Sequence, residues 1–246
     1  MRIVECPSPN HDERPAGTPI DMVVLHYTGM KTGEEALARL CDPKAKVSAH
    51  YTIDRDGRIY RHVPEERRAW HAGVSYWAGE RNVNARSIGI EIVNPGHEFG
   101  YVPFADPQIE ALIDLSREIF ARHPIPPARV VGHSDVAPAR KEDPGELFPW
   151  KCLSEYGIGL WPSFPSAACG DGVSRGAVDE ALARFGYGLP PDVDVPMEKV
   201  IAAFQRHYRT AKIDGAWDDE CGRILGGLLK QIDASHPETV SAQTRS

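Results

Sequence analysis

The chain has 246 residues and a formal net charge of −7, with a sequence pI near 5.8. That balance excludes the basic footprint of a dedicated nucleic-acid or anionic-membrane binder. Hydrophobic residues at 41% and charged residues at 26% leave enough apolar side chain for a packed core, and no apolar run reaches the ~18 residues of a membrane span.

Residues 1–20 are rich in proline and polar groups and read as an extended lead-in. They carry no apolar signal core, so the simplest compartment is the cytoplasm, with the periplasm or cell envelope as the alternative. Residues 21–27 form the first strong strand, nearly continuous in apolar side chains, as in a strand covered on both faces. Alternation puts Val24 and His26 on one face and Val23, Leu25 and Tyr27 on the other. Thr32-Gly33-Glu34-Glu35 is a capping box that opens a short helix through Leu37 and Leu40.

Stretches 50–54 and 58–63 flank Arg55-Asp56-Gly57, whose Asp-Gly pair marks a hairpin. Residues 64–87 read as a long loop holding Trp70, His71, Asn82, Asn84 and Arg86, and a loop of that length in a compact domain is usually functional. Residues 88–93 form a strand with its isoleucines on one face and Gly89, Glu91 and Val93 on the other. Asp106-Pro107 opens the clearest helix, with a carboxylate cap, proline at the first helical position and an apolar stripe of Ile109, Leu112, Ile113, Ile119 and Phe120. A short strand over 129–132 delivers His133 at its end.

Proline, glycine and serine then dominate to about residue 176, which reads as a linker packed on the preceding domain. Beyond it, Val178, Leu182 and Phe185 form one helical stripe and Val200, Ile201, Phe204 and Tyr208 another, with a last helix through Ile224, Leu225 and Leu228. The division is a domain over 1–152, a linker over 153–175, a helical unit over 176–232 and a polar tail over 233–246. A unit below ~70 residues is marginal alone, so this one leans on the first domain. The five cysteines are odd in number, widely spaced and lack a Cys-x-x-Cys. They read as reduced thiols rather than a disulfide framework or zinc knot, with a Cys152–Cys169 bridge left open.

Two histidines at strand ends, His26 and His133, and Asp143 ten residues after the second are a donor set suited to one Zn²⁺. Three protein ligands leave a fourth position open, as in a catalytic rather than a structural zinc site. Each residue also has a plainer reading: a satisfied core histidine, or an aspartate starting the turn at Pro144-Gly145. Glu91 is a carboxylate inside an apolar strand, which is unfavourable unless paired, and reads either as a general base or as half of an ion pair. Lys141 reads either as a partner for a developing oxyanion or as a solvated surface lysine.

Six blocks in order carry a resemblance: Leu25-His26-Tyr27-Thr28, Ser48-Ala49-His50-Tyr51, Ala69-Trp70-His71-Ala72-Gly73, Ser87-Ile88-Gly89-Ile90-Glu91, Gly132-His133-Ser134-Asp135 and Lys141-Glu142-Asp143-Pro144-Gly145. Together they resemble the zinc-dependent N-acetylmuramoyl-L-alanine amidases of the type 2 amidase family. The resemblance implies an α/β fold with a mixed central sheet flanked by helices. It implies His26, His133 and Asp143 as zinc ligands, Glu91 as catalytic base and Lys141 as transition-state partner. His50, Tyr51, Trp70, His71 and Asn84 would lie in or near the substrate groove. Related phage lysozymes and animal peptidoglycan recognition proteins commonly carry cysteine where Asp143 stands, so the aspartate points to the bacterial recycling and envelope amidases. Arg184-Phe185-Gly186-Tyr187 and Phe204-Gln205-Arg206-His207-Tyr208, followed by Asp214-Gly215, resemble a peptidoglycan-binding domain more loosely. The implied reaction is hydrolysis of the amide between N-acetylmuramic acid and L-alanine in peptidoglycan or its muropeptide fragments, with no nucleic acid, membrane insertion or obligatory protein partner. A non-catalytic peptidoglycan receptor would lack a ligand or the base, whereas here all are present. A phage-type lysin would instead clear intact wall.

Overall fold

The computed structural model describes residues 2–162 and 173–235. Where the sequence reads only an extended lead-in, the chain lays down two short strands, Ile3–Glu5 (β1) and His11–Glu13 (β2). Next come Met22–Tyr27 (β3), Gly33–Cys41 (α1), Tyr51–Ile53 (β4), Ile59–Arg61 (β5), Arg67–Ala69 (β6), Val83–Arg86 (α2) and Ser87–Ile92 (β7). The first domain finishes with Gly96–Phe99 (α3), Asp106–Arg122 (α4), Val130–Gly132 (β8), His133–Val136 (α5) and Trp150–Ser154 (α6). Val178–Phe185 (α7), Met197–Tyr208 (α8) and Asp219–Ser235 (α9) form the C-terminal unit.

The main sheet runs β1-β5-β4-β7-β3-β8. It is mixed: β4 and β5 pair antiparallel as the Asp56-Gly57 hairpin predicts, and the remaining pairs are parallel. β2 and β6 form a separate antiparallel ribbon, so the stretch 64–87 is not the plain loop its composition suggests. Short edge strands have little apolar periodicity to show, and their pairing comes from partners far along the chain. Arg14, just after β2, fastens this ribbon by donating to the backbone carbonyls of Glu65, Asn84, Ala85 and Ser87.

Period-two alternation in β3 and β7 separates two cores. Val23, Leu25, Ile88, Ile90 and Ile92 pack against the Leu112, Leu115 and Ile119 face of α4. Met22, Val24 and Val131 face the other way, onto a core that includes Trp77 and runs on into Leu182, Phe185, Phe204 and Leu225 of the C-terminal helices. The helical unit therefore shares its core with the first domain. Thr32 caps α1 by accepting from the Glu35 N–H, as the capping box predicts. At α4 the cap shifts by one residue: Ala105 is the N-cap, Asp106 is already helical, and Gln108 Oε1 accepts from the Ala105 N–H at 3.1 Å. The polar tail from residue 236 on lies outside the described residues, as does Cys169 and so the postulated Cys152–Cys169 bridge.

Candidate active site and metal centre

Strand register builds the site. Leu25 pairs with Gly132 and His26 with Glu91, so His26, Glu91 and the start of α5 emerge together at the same end of three adjacent parallel strands. Gly132 has no room for a side chain, since a Cβ there would come 2.8 Å from Pro144 Cδ. That close approach brings Asp143 back beside His133, and the Ser134 N–H donates to the Asp143 carbonyl at 2.8 Å.

The predicted ligands converge. His26 Nδ1, His133 Nδ1 and Asp143 Oδ2 lie 3.0 Å from one another, and all three side chains are buried. The opposite ring nitrogens show which tautomers are present. His133 Nε2 faces the Ala72 carbonyl at 3.1 Å, so it carries the proton and leaves Nδ1 as a lone pair. His26 Nε2 donates to His71 Nδ1 at 3.1 Å, His71 Nε2 donates to Ser87 Oγ at 3.2 Å, and the Ser87 hydroxyl donates to the Val83 carbonyl at 2.7 Å. This relay fixes both the tautomer and the ring orientation of His26, the usual task of the partners behind a metal ligand. Three acceptor atoms pointing at one another in a buried site repel unless a cation sits between them, so the donor set fits a metal ion.

Electrostatics agree with that assignment. Burial first, then the facing His133, lowers His26 to about 4. Burial alone would raise Asp143, but the two imidazoles hold it well below the carboxylate range. Burial, then the negative charge of Asp143, pushes Glu91 well above its usual value, with Lys141 opposing. Among the described residues, Glu91 Oε2 is buried without a hydrogen-bond partner. A carboxylate poised that way takes up a proton readily.

These residues form the floor of a groove of about 870 Å³ whose walls include Tyr27, Arg39, Trp70, Phe99, Arg140 and Lys141. Of the expected groove residues, Trp70 and His71 line it. His50, Tyr51 and Asn84 do not line it, and His50 and Asn84 lie behind His71, next to the groove. Tyr51 pairs with Ile90 and so faces the α4 side, where its hydroxyl donates to Glu65 Oε1 at 2.7 Å. His50 is fully buried beneath the ribbon, accepting from the Gly89 N–H at Nδ1 (2.9 Å) with Arg14 against Nε2. Asn84 works from behind, its Oδ1 accepting from the His71 and Ala72 N–H groups at 3.2 and 2.8 Å.

Sequence reasoning missed three supporting roles. His71 is a partner of His26 as well as a groove residue, and Gly89 makes room for it: a Cβ there would lie 2.4 Å from the His71 ring. Ser87 shares the Gly89 and Glu91 face of β7, a parity readable once that strand is recognised. Arg140 pins the loop over the three candidate ligands by donating to the Ala72 and Val74 carbonyls.

Residues 16–146 match the family described as N-acetylmuramoyl-L-alanine amidase. The chain is similar to the N-acetylmuramoyl-L-alanine amidase AmiD of Escherichia coli, at 40% identity over 86% of this chain and 83% of that protein. A solved complex of E. coli AmiD with anhydro-N-acetylmuramic acid-L-Ala-D-γ-Glu-L-Lys superposes with a TM-score of 0.77 at 39% identity, covering 88% of this chain and 91% of that one. AmpDh3 of Pseudomonas aeruginosa, solved with anhydromuramic pentapeptide, gives a TM-score of 0.77 at 37% identity, over 89% and 94% of the two chains. Because the family match covers more than half of the sequence and these relatives align along most of it, the chain belongs to the N-acetylmuramoyl-L-alanine amidase family.

Proposed function

We propose that this amidase cleaves the bond between the lactyl group of N-acetylmuramic acid and L-alanine in soluble muropeptides, including 1,6-anhydro forms, with one Zn²⁺ held by His26, His133 and Asp143. The observation that carries the reading is the 3.0 Å convergence of three buried acceptor atoms, with Glu91 in register beside His26. The solved relatives with anhydro-muropeptides support the substrate class.

When bound, the ion supplies Lewis acidity that makes water a better nucleophile and polarises the scissile carbonyl. Glu91 accepts the proton of the attacking water and returns it to the departing alanine nitrogen. Its raised proton affinity suits both directions of transfer. Lys141, on the groove wall, sets a positive charge against the carbonyl oxygen as that oxygen becomes anionic. His71 and the Ala72 carbonyl hold the two imidazoles in their ligating tautomers, and Trp70 offers a flat apolar wall to the substrate. The C-terminal helices resemble a peptidoglycan-binding unit, and their shared core supports a bracing role in this chain.

Product analysis by mass spectrometry on anhydro-muropeptides, reducing-end muropeptides and whole sacculi tests the reading. Free stem peptide from the soluble fragments is expected, abolished by chelation and restored by zinc. Hydrolysis insensitive to chelation, or cleavage at another bond, overturns it.

A further inference from the structure

At the outer edge of the sheet, Cys6 follows β1 and Cys41 ends α1, with their Sγ atoms 3.3 Å apart. The two are 35 residues apart in the chain, so widely spaced cysteines are not separate idle thiols here. We propose that Cys6 and Cys41 are a disulfide-forming pair that clasps the sheet edge to the helix walling the substrate groove.

His62 stands beside the pair and raises the rival of a metal site, since the three side chains cluster. Its hydrogen bonds speak against a ligand role. His62 Nδ1 lies 2.7 Å from the Cys6 carbonyl, so that nitrogen carries a proton and donates, while Nε2 lies 2.8 Å from the Thr52 hydroxyl and accepts from it. Neither nitrogen presents a lone pair to the sulfurs. In the groove cluster, by contrast, the lone pairs converge on one another. His62 Nδ1, 3.8 Å from Cys41 Sγ, meets the sulfur with its proton, so among the described residues the two thiols form a dithiol able to close.

The clasp has a mechanical address. Leu40, Arg39 and Ala36 of α1 line the groove, together with Val47 after the helix. The segment after Cys6 already ties this wall down: Ser8 Oγ donates to the Leu40 carbonyl, and Asn10 Nδ2 donates to the Asp42 and Val47 carbonyls, both at 2.9 Å. A covalent link at Cys41 would complete the fastening. Closure is a thiol–disulfide exchange. Cys6 and Cys41 lose two protons and two electrons and gain one S–S bond, and a small disulfide donor such as oxidised glutathione is reduced to two thiols. Both cysteines are half-buried, within reach of such a donor. Burial, then the Cys6 sulfur, pushes the Cys41 thiol up to about 12. That makes Cys41 a slow nucleophile and suits a structural clasp better than a rapid redox catalyst.

The test is peptide mapping of the zinc-loaded full-length protein after equilibration in glutathione buffers from reducing to oxidising. The expected product is a Cys6–Cys41 disulfide, with the oxidised protein melting roughly 5–10 °C above the reduced one. Cys6→Ser is expected to lose the redox dependence of Tm while matching the reduced wild type in Tm and turnover. Recovery of Cys6 and Cys41 as free thiols or separate glutathione adducts in the oxidising buffer overturns the proposal. So does an oxidised protein with unchanged Tm, or a second tightly bound zinc that disappears in Cys41→Ser. The comparison of oxidised and reduced wild type stands even if the variant folds poorly.

Discussion

Two buried clusters of histidine and aspartate sit side by side in this molecule and behave as opposites. One is the groove cluster of His26, His133 and Asp143. The other begins two residues after His133, where Asp135 meets His207 and Tyr187 of the C-terminal unit. In the second cluster every acceptor of Asp135 meets a donor: Oδ2 takes the Gly132 N–H at 2.7 Å and His207 Nδ1–H at 2.8 Å, and Oδ1 takes the Tyr187 hydroxyl at 2.7 Å. Trp150 and Tyr208 stack on His207, each with ring centroids at 3.8 Å, and shut out water. In the groove cluster the donors all point outward, to His71 and the Ala72 carbonyl, and the acceptors are left facing one another. Residue type therefore does not distinguish a candidate metal centre from a structural latch. The balance of donors against acceptors does.

The comparison can be broken at either cluster. The largest effect is expected at the first: His133→Ala should lose the metal, measured as zinc per chain by atomic emission, and should fall below detectable turnover. Retention of metal and activity would remove the groove cluster from the chemistry. Glu91→Gln should keep its zinc and lose turnover by ~10²–10⁴-fold, the usual share of a general acid–base. If kcat barely moves in a folded, metal-loaded variant, Glu91 is not the base.

Asp135→Asn sharpens the contrast. It sets an amide N–H against groups that already donate, and removing one partner of a buried charged network costs about 3 kcal/mol. Urea unfolding should show that loss while the metal content stays at one per chain. A variant that unfolds normally but releases its metal would mean that the two clusters act as one.

The smallest effect concerns a buried imidazole outside both clusters, His50. Burial, then the neighbouring Arg14, lowers it to about 3 against an ordinary 6.5. The folded value is depressed, so the stabilising contribution is complete above pH 6.5 and is lost as pH falls from there toward 3. At pH 5 the loss is about 2 kcal/mol. Melting curves from pH 7 to 5 should show a shallower decline in His50→Gln than in the wild type, and parallel curves would leave His50 without a part in the acid sensitivity.

Much of the site is legible in the amino-acid sequence, because it lies on strands whose alternation is visible. The apolar runs around His26 and Glu91 give both the strand and the face, and parallel pairing of β3 with β7 then brings the two residues level. The hairpin at Asp56-Gly57 and the cap at Thr32 are local devices, set by residues within four positions of each other. The same reasoning misplaces Tyr51 because a motif block does not say which side of the sheet a neighbour faces, and it does not show that His50, on the same face as Glu91, is covered by the His71 ring and Arg14. It also misses β2 and β6, whose ribbon is held by backbone pairing and the Asp12–Arg68 and Glu13–Arg67 ion pairs rather than by any apolar pattern.

What the sequence determined by itself, then, is the identity of the ligand and base candidates, the strands that carry them and the amphipathic helices around them, since each rests on local periodicity and side-chain chemistry. Only the tertiary structure decided which acceptors face one another, that the C-terminal helices share the core of the catalytic domain, and that Cys6 touches Cys41. The physical reason is common to all three: contacts between residues tens of positions apart depend on register and packing across the whole sheet, and no short window of sequence contains them.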